Sequence, residues 1–164
     1  MKSILALLAS ITLAGTLAGS SALASDGIMI PESSGWARST PPGVTTTAIY
    51  LTVMNHGSKD INLLSVESDI SSKIELHTHK HEDGVMKMQQ VASIAIAAGD
   101  QTELKPHAEH IMVFNLNRAL EAGERVTVEL KFDDGKTHTV EVPVLKEAPD
   151  ADAGHGDHTA HKKK

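Results

Sequence analysis

Between Thr45 and Val144 the apolar residues fall at every second position, in short runs broken by glycine, aspartate and proline. Side chains on a strand alternate between two faces, so each run describes a strand with one face turned toward a core. Thr45 to Asn55 is the clearest, with Ile49, Leu51 and Val53 set against Ala48, Tyr50, Thr52 and Met54. Ile61 to Val66, Ile74 to His79, Val85 to Val91, Thr102 to Leu104 and His110 to Leu116 follow. Val126 to Phe132 and Thr137 to Val144 form a solvent-faced hairpin around Asp133-Asp134-Gly135-Lys136, with His138 as an outward polar residue. No long helical pattern and no internal repeat interrupts them. Short strands with turn signals at near-regular intervals predict an all-β sandwich or barrel. Pro31 to Gly43 is an irregular entry segment, in which Trp36 reads as an apolar plug for a core poor in aromatics.

One set of residues in this pattern carries chemistry. His77 is followed after ten residues by Met88, and after twenty-one more by His110-Ile111-Met112. Thioether sulfur is soft and has no proton to lose, and imidazole is borderline. A site made of both without a carboxylate suits Cu(I) rather than Mg²⁺, Ca²⁺ or Mn²⁺. Alternation points His110 and Met112 one way and Ile111 and Val113 to the core. In Ile74-Glu75-Leu76-His77-Thr78-His79 it sets Ile74 and Leu76 opposite to His77 and His79. A hairpin turning at Glu82-Asp83-Gly84 has two possible registers. A centre between Glu82 and Asp83 pairs His77 with Met88 and His79 with Met86, whereas a centre on Asp83-Gly84 shifts these pairs by one step. His79, Met86, His81 and His107 are weaker candidates, His79 as a rim residue and Met86 as packing or a reserve ligand. Met54 and His56 share a face, but they read as a core methionine beside a turn histidine.

The spacing resembles that of the periplasmic PCuAC copper chaperones, whose signature is His, ten residues, Met, twenty-one residues, His-x-Met. The likeness extends to Trp36-Ala37-Arg38, Thr40-Pro41-Pro42-Gly43, Ala48 through Asn55, Glu75-Leu76-His77-Thr78-His79, Glu82-Asp83-Gly84-Val85-Met86 and Glu103-Leu104-Lys105-Pro106. It thus spans roughly residues 28 to 145. It implies a cupredoxin-like Greek-key β-barrel or sandwich that binds Cu(I) through His77, Met88, His110 and Met112. It also implies delivery of copper to the dinuclear copper centre of cytochrome c oxidase, with that subunit or another copper-assembly protein as partner. His107-Ala108-Glu109 departs from the family, where small residues or glycines are usual, and leaves open an extra ligand or a more polar rim.

Met1-Lys2, the apolar run Ile4 to Leu17 and Ala22-Leu23-Ala24 read as a signal peptide cleaved before Ser25. The expected division is residues 1–24 as signal peptide, 25–146 as copper-binding β domain and 147–164 as flexible His/Lys-rich tail. In the tail, His155, His158 and His161 are spaced three apart before Lys162-Lys163-Lys164. Such a segment builds no core, and its imidazoles suit Cu(II) or Zn²⁺ better than Cu(I). Export to a periplasm without a stable membrane anchor is expected. With no cysteine among 164 residues, neither a disulfide framework nor a Cys-linked lipid is expected. A blue-copper site, which rests on a Cys thiolate, is likewise excluded. A formal net charge of −6 argues against nucleic acid and against a purely electrostatic grip on anionic lipid. No nucleophile and base stand together, so an enzyme is not expected. A copper-buffering or resistance protein without a dedicated acceptor is the alternative to a chaperone.

Overall fold

The computed structural model describes residues 27–82 and 84–149. The strands are β1 (Ile28–Met29), β2 (Trp36–Arg38), β3 (Thr47–Asn55), β4 (Ile61–Glu67), β5 (Lys73–Glu82), β6 (Val85–Gln90), β7 (Ile94–Ile96), β8 (Gln101–Leu104), β9 (His110–Phe114), β10 (Arg125–Phe132) and β11 (Thr137–Leu145). A single 3₁₀ turn, Glu32–Ser34, is the only helical element among the described residues. The predicted strands are all present, with ends moved by one to three residues. The short strands β1, β2 and β7 are additions, because two or three residues are too few to show alternation, and β2 places Trp36–Arg38 of the segment read as irregular in a strand.

Strand β3 organises the molecule because its two halves belong to different sheets. Thr47 to Ile49 pair with β9, and Ile49 and Tyr50 pair with β2 on the other side. Beyond Tyr50 the neighbours change: Leu51 to Met54 pair with β8, and Met54 and Asn55 with β1. The hydrogen-bonded path runs β6-β5-β9-β3-β2-β11-β10-β4-β7. Consecutive strands β4 and β5 lie far apart on this path, β9 returns between β5 and β3, and β11 returns between β2 and β10. This is Greek-key order, and the fold is an all-β, cupredoxin-like sandwich. The β11–β2 pairing is parallel and the other strand pairings are antiparallel.

The core is aliphatic. Ile49, Leu51 and Val53 of β3 meet Leu63, Ile96, Leu104, Ile111, Val113, Val128, Leu130 and Val142, nearly all inaccessible to solvent, with Phe132 the only aromatic among them. Burying each such side chain contributes about 1.5–3 kcal/mol. The β10–β11 hairpin has only its outer face in solvent, since Val126, Val128, Leu130, Val140, Val142 and Val144 lie in this core. His138 is half-buried rather than outward, with its ring edge-on to Phe132 at 5.4 Å. Met54 is half-buried and His56 exposed. At Gly35 a Cβ would stand 2.5 Å from Val142 Cγ1, so glycine lets the entry segment press against β11.

Trp36 lies outside the main core. With Ala48, Tyr50, Met112 and Leu145 it forms a smaller cluster on the opposite face of the same sheet, its ring 4.6 Å from that of Tyr50. Both faces of the first half of β3 are therefore covered, which its alternation alone did not indicate.

Candidate metal centre

The five strands β6-β5-β9-β3-β2 present one outer face, and antiparallel register decides which side chains stand together on it. Directly paired residues share a face, with Cβ atoms about 5 Å apart. His77 pairs with His110, and Glu75 with Met112. Across the hairpin, His77 pairs with Gln90, His79 with Met88 and His81 with Met86. The turn is thus centred on Asp83-Gly84, the second of the two registers, and His77 does not face Met88. Gly84 at φ 79° supplies the left-handed conformation that a two-residue turn of this type needs.

His77 occupies the middle of the group. His110 lies beside it, Met112 is one diagonal neighbour across β9, and Met88 is another across β6. The His77 and His110 ring centroids are 6.0 Å apart. His79 stands closer still to His110, at 5.3 Å, and its ring meets His107 edge-on at 5.8 Å. His107 sits in the left-handed region at φ 66° in the β8–β9 connection, which brings its exposed side chain to the rim. Met112 is half-buried against Trp36, Ala48 and Tyr50, whereas Met88 is 50% exposed. Met86 is also exposed and lies beside His81. The tail residues His155, His158 and His161 and the signal segment 1–24 lie outside the described residues.

The two central imidazoles are held in the state a metal requires. His77 donates Nε2–H to Glu75 Oε2 at 2.9 Å, and its buried Nδ1 has no hydrogen-bond partner. His110 donates Nδ1–H to the Ala108 carbonyl at 2.8 Å, which leaves the Nε2 lone pair available. One nitrogen anchored as donor and the other left as acceptor is the arrangement that orients metal-binding histidines. Among the described residues no three His, Asp or Glu are grouped closely enough to hold a metal by themselves. A site here depends on thioethers, so the donor set is soft and fits Cu(I).

Electrostatics agree with this reading. Burial, with smaller contributions from the nearby His79 and His77, holds the His110 pKa below its ordinary value, against the raising effects of the Ala108 carbonyl and Glu109. The hydrogen bond from His77, with a smaller contribution from Lys73, holds the Glu75 carboxyl below its usual range despite opposing desolvation. His110 therefore stays neutral in the folded metal-free protein at pH values where an unfolded imidazole, with a pKa near 6.5, takes up a proton. Its contribution to stability is complete above about pH 6.5 and is lost as pH falls from there through the depressed value. Imidazole resonances followed by NMR should show His110 titrating below an unstructured histidine. An ordinary midpoint would refute the burial argument.

Glu75 was not among the candidates read from the sequence. The signal for it was nevertheless there, since a residue two before His77 on a strand shares its face. Replacing Glu75 by glutamine removes the carboxylate that fixes the His77 tautomer, and loss of such a partner typically weakens metal binding by about 10–100-fold. Cu(I) affinity of the Glu75→Gln protein should fall within that range while its melting temperature barely moves. Unchanged affinity would show that this hydrogen bond does not prepare His77.

An outer-face cluster of imidazole and thioether on a cupredoxin-like Greek-key sandwich defines a PCuAC-type domain. The chain belongs to the LpqE-like family, whose model, described as "Putative lipoprotein LpqE-like", matches residues 32–144. It is 34% identical over 120 residues to "Putative lipoprotein Lxx21020" of Leifsonia xyli, covering 73% of this chain and 70% of that protein. It is 31% identical over 118 residues to "Uncharacterized protein RP573" of Rickettsia prowazekii, covering 70% of this chain and 65% of the other. Among solved structures, the copper-bound PCuAC domain from PmoF2 superposes with a TM-score of 0.62 at 17% identity, covering 74% of this chain and 94% of that domain. The Cu(I) form of DR1885 from Deinococcus radiodurans gives 0.56 at 29% identity, with 80% and 85% covered. These likenesses establish the fold and the family, and the resemblance inferred from the spacing stands.

Proposed function

We propose that this protein is a periplasmic metallochaperone that carries one Cu(I) on His77, Met88, His110 and Met112 and passes it to the dinuclear copper centre of cytochrome c oxidase. The observation that carries the reading is the pair of buried imidazoles on neighbouring strands. Each has one nitrogen tied as donor and the other free, beside a half-buried and an exposed thioether. The Cu(I) form of DR1885, a structural relative at 29% identity, supports copper as the cargo. All four donors are neutral when they bind, and Met88 lies on an edge strand whose residues are all exposed. Such a site holds a soft ion without enclosing it, as release to an acceptor requires. Residues 1–24 direct export, residues 25–146 form the carrier, and His155, His158 and His161 take Cu(II) ahead of reduction.

Separate titrations with Cu(I), Cu(II) and Zn²⁺, with and without residues 147–164, test the donor assignment. The shortened protein should retain tight Cu(I) binding, prefer Cu(I) strongly over Zn²⁺ and lose most Cu(II) binding. Equal affinity for Zn²⁺ and Cu(I) would sink the thioether site, and undiminished Cu(II) binding would remove the tail's role. Transfer to a purified oxidase copper domain separates a chaperone from a buffering protein.

A further inference from the structure

The donors on the outer face of the β5–β6 hairpin do not stop at the central group. Toward the tip, His79 faces Met88 and then His81 faces Met86. His81 Nδ1 lies 3.4 Å from Met86 Sδ. Metal bonds to nitrogen and sulfur run at about 2.0 and 2.3 Å, so one ion can bridge that pair. Met86 is 52% exposed and Met88 50%, on an edge strand with no buried residue. Exposed edges are ordinarily protected by charge or proline, and thioethers left in water there contribute little to the core.

Successive residues on one face of a strand are about 7 Å apart, too far for a single ion to hold both the His81–Met86 pair and His110. His79 occupies the interval. Its buried Nδ1 has no hydrogen-bond partner, its ring lies 5.3 Å from that of His110, and Met88 is its direct neighbour across the hairpin.

We propose that His81 and Met86 form a second, outer Cu(I) site, from which the ion passes by way of His79 and Met88 to His110, so that cargo enters and leaves along the hairpin face. The inference rests on the Cu(I) reading above. Each step is a ligand exchange: a bond from copper to the incoming nitrogen or sulfur forms as the bond to the outgoing donor breaks. Copper stays Cu(I), and no electron moves. Two neutral donors bind more weakly than four, so the outer site fills second and empties first.

The full chain, labelled with ¹³C at its methionine methyls, is titrated anaerobically with Cu(I). The first equivalent should shift the Met88 and Met112 methyls, and the second should shift Met86. A variant carrying His81→Ala and Met86→Leu should hold its first Cu(I) within about threefold of wild-type affinity but surrender it to a competing chelator about tenfold more slowly. A stationary Met86 beside moving Met88 and Met112, or wild-type release from the double variant, overturns the outer site alone. If all three methyls stay still, the Cu(I) reading falls with it.

Discussion

Replacing His110 by alanine is expected to weaken Cu(I) binding by more than about 100-fold, beyond the range caused by losing a supporting hydrogen-bond partner. His110 is the side chain on which the arrangement converges. It pairs directly with His77, is the ring nearest to His79 among their contacts, and shares a strand face with Met112. Its Nδ1 is committed to the Ala108 carbonyl, so the ring cannot turn without giving up a hydrogen bond. Burial also keeps it neutral at pH values where an exposed imidazole would compete for a proton, which favours metal over proton. His79→Ala should cost much less, because His77, His110 and both thioethers remain. Competition with a chromophoric Cu(I) chelator reads both variants. Near-native affinity in His110→Ala, or a larger loss in His79→Ala, would move the centre of the site from the β5–β9 pair toward the hairpin.

Ile111→Ala should destabilise the fold by about 2–5 kcal/mol, as expected for removing a large aliphatic side chain from a packed core. Ile111 is inaccessible to solvent, pairs with Ile49 of β3 and Leu76 of β5, and lies at the join between the site sheet and the core. A loss of that size is a large share of the 5–15 kcal/mol typical of a domain, and should lower the melting temperature by roughly 10 °C or more. His110 and Met112 flank this residue but point to the other face, so the metal-loaded variant should recover part of the loss, by an amount that rises with the logarithm of free Cu(I) over its Kd. Thermal melts with and without Cu(I) test both statements. A shift of a degree or two would mean that Ile111 does not carry the core packing described here.

Much of this was legible in the chain because strands have a period of two. Alternation placed Ile49, Leu51, Val53, Ile111 and Val113 inside and His110 and Met112 outside, and the structure agrees at each. It could not separate the two hairpin registers, because the turn signal Glu82-Asp83-Gly84 admits both. A shift of the turn centre by one residue moves each partner by two and exchanges Met88 for Gln90 opposite His77. Nor could it show that Trp36 lies on the outer face supporting Tyr50 and Met112, since that depends on β2 joining β3 from across the sheet. At His138 the alternation itself points inward, since it shares the face of Val140, Val142 and Val144 and pairs with buried Leu130 across the hairpin, so a polar residue type is a poorer guide there than position.

The amino-acid sequence by itself determined the all-β class, the inward and outward faces of each strand and the soft character of the donor set. These follow from side-chain chemistry and from local backbone geometry, which act over a few residues. The tertiary structure decided which donors are neighbours. Only the return of β9 between β5 and β3 brings His110 beside His77, and only the register of β6 brings Met88 beside His79. It also decided which imidazole nitrogens are free, since the partners Glu75 and Ala108 take effect only once the strands have paired. Distance between donors is a property of long-range pairing, and no periodicity along the chain encodes it.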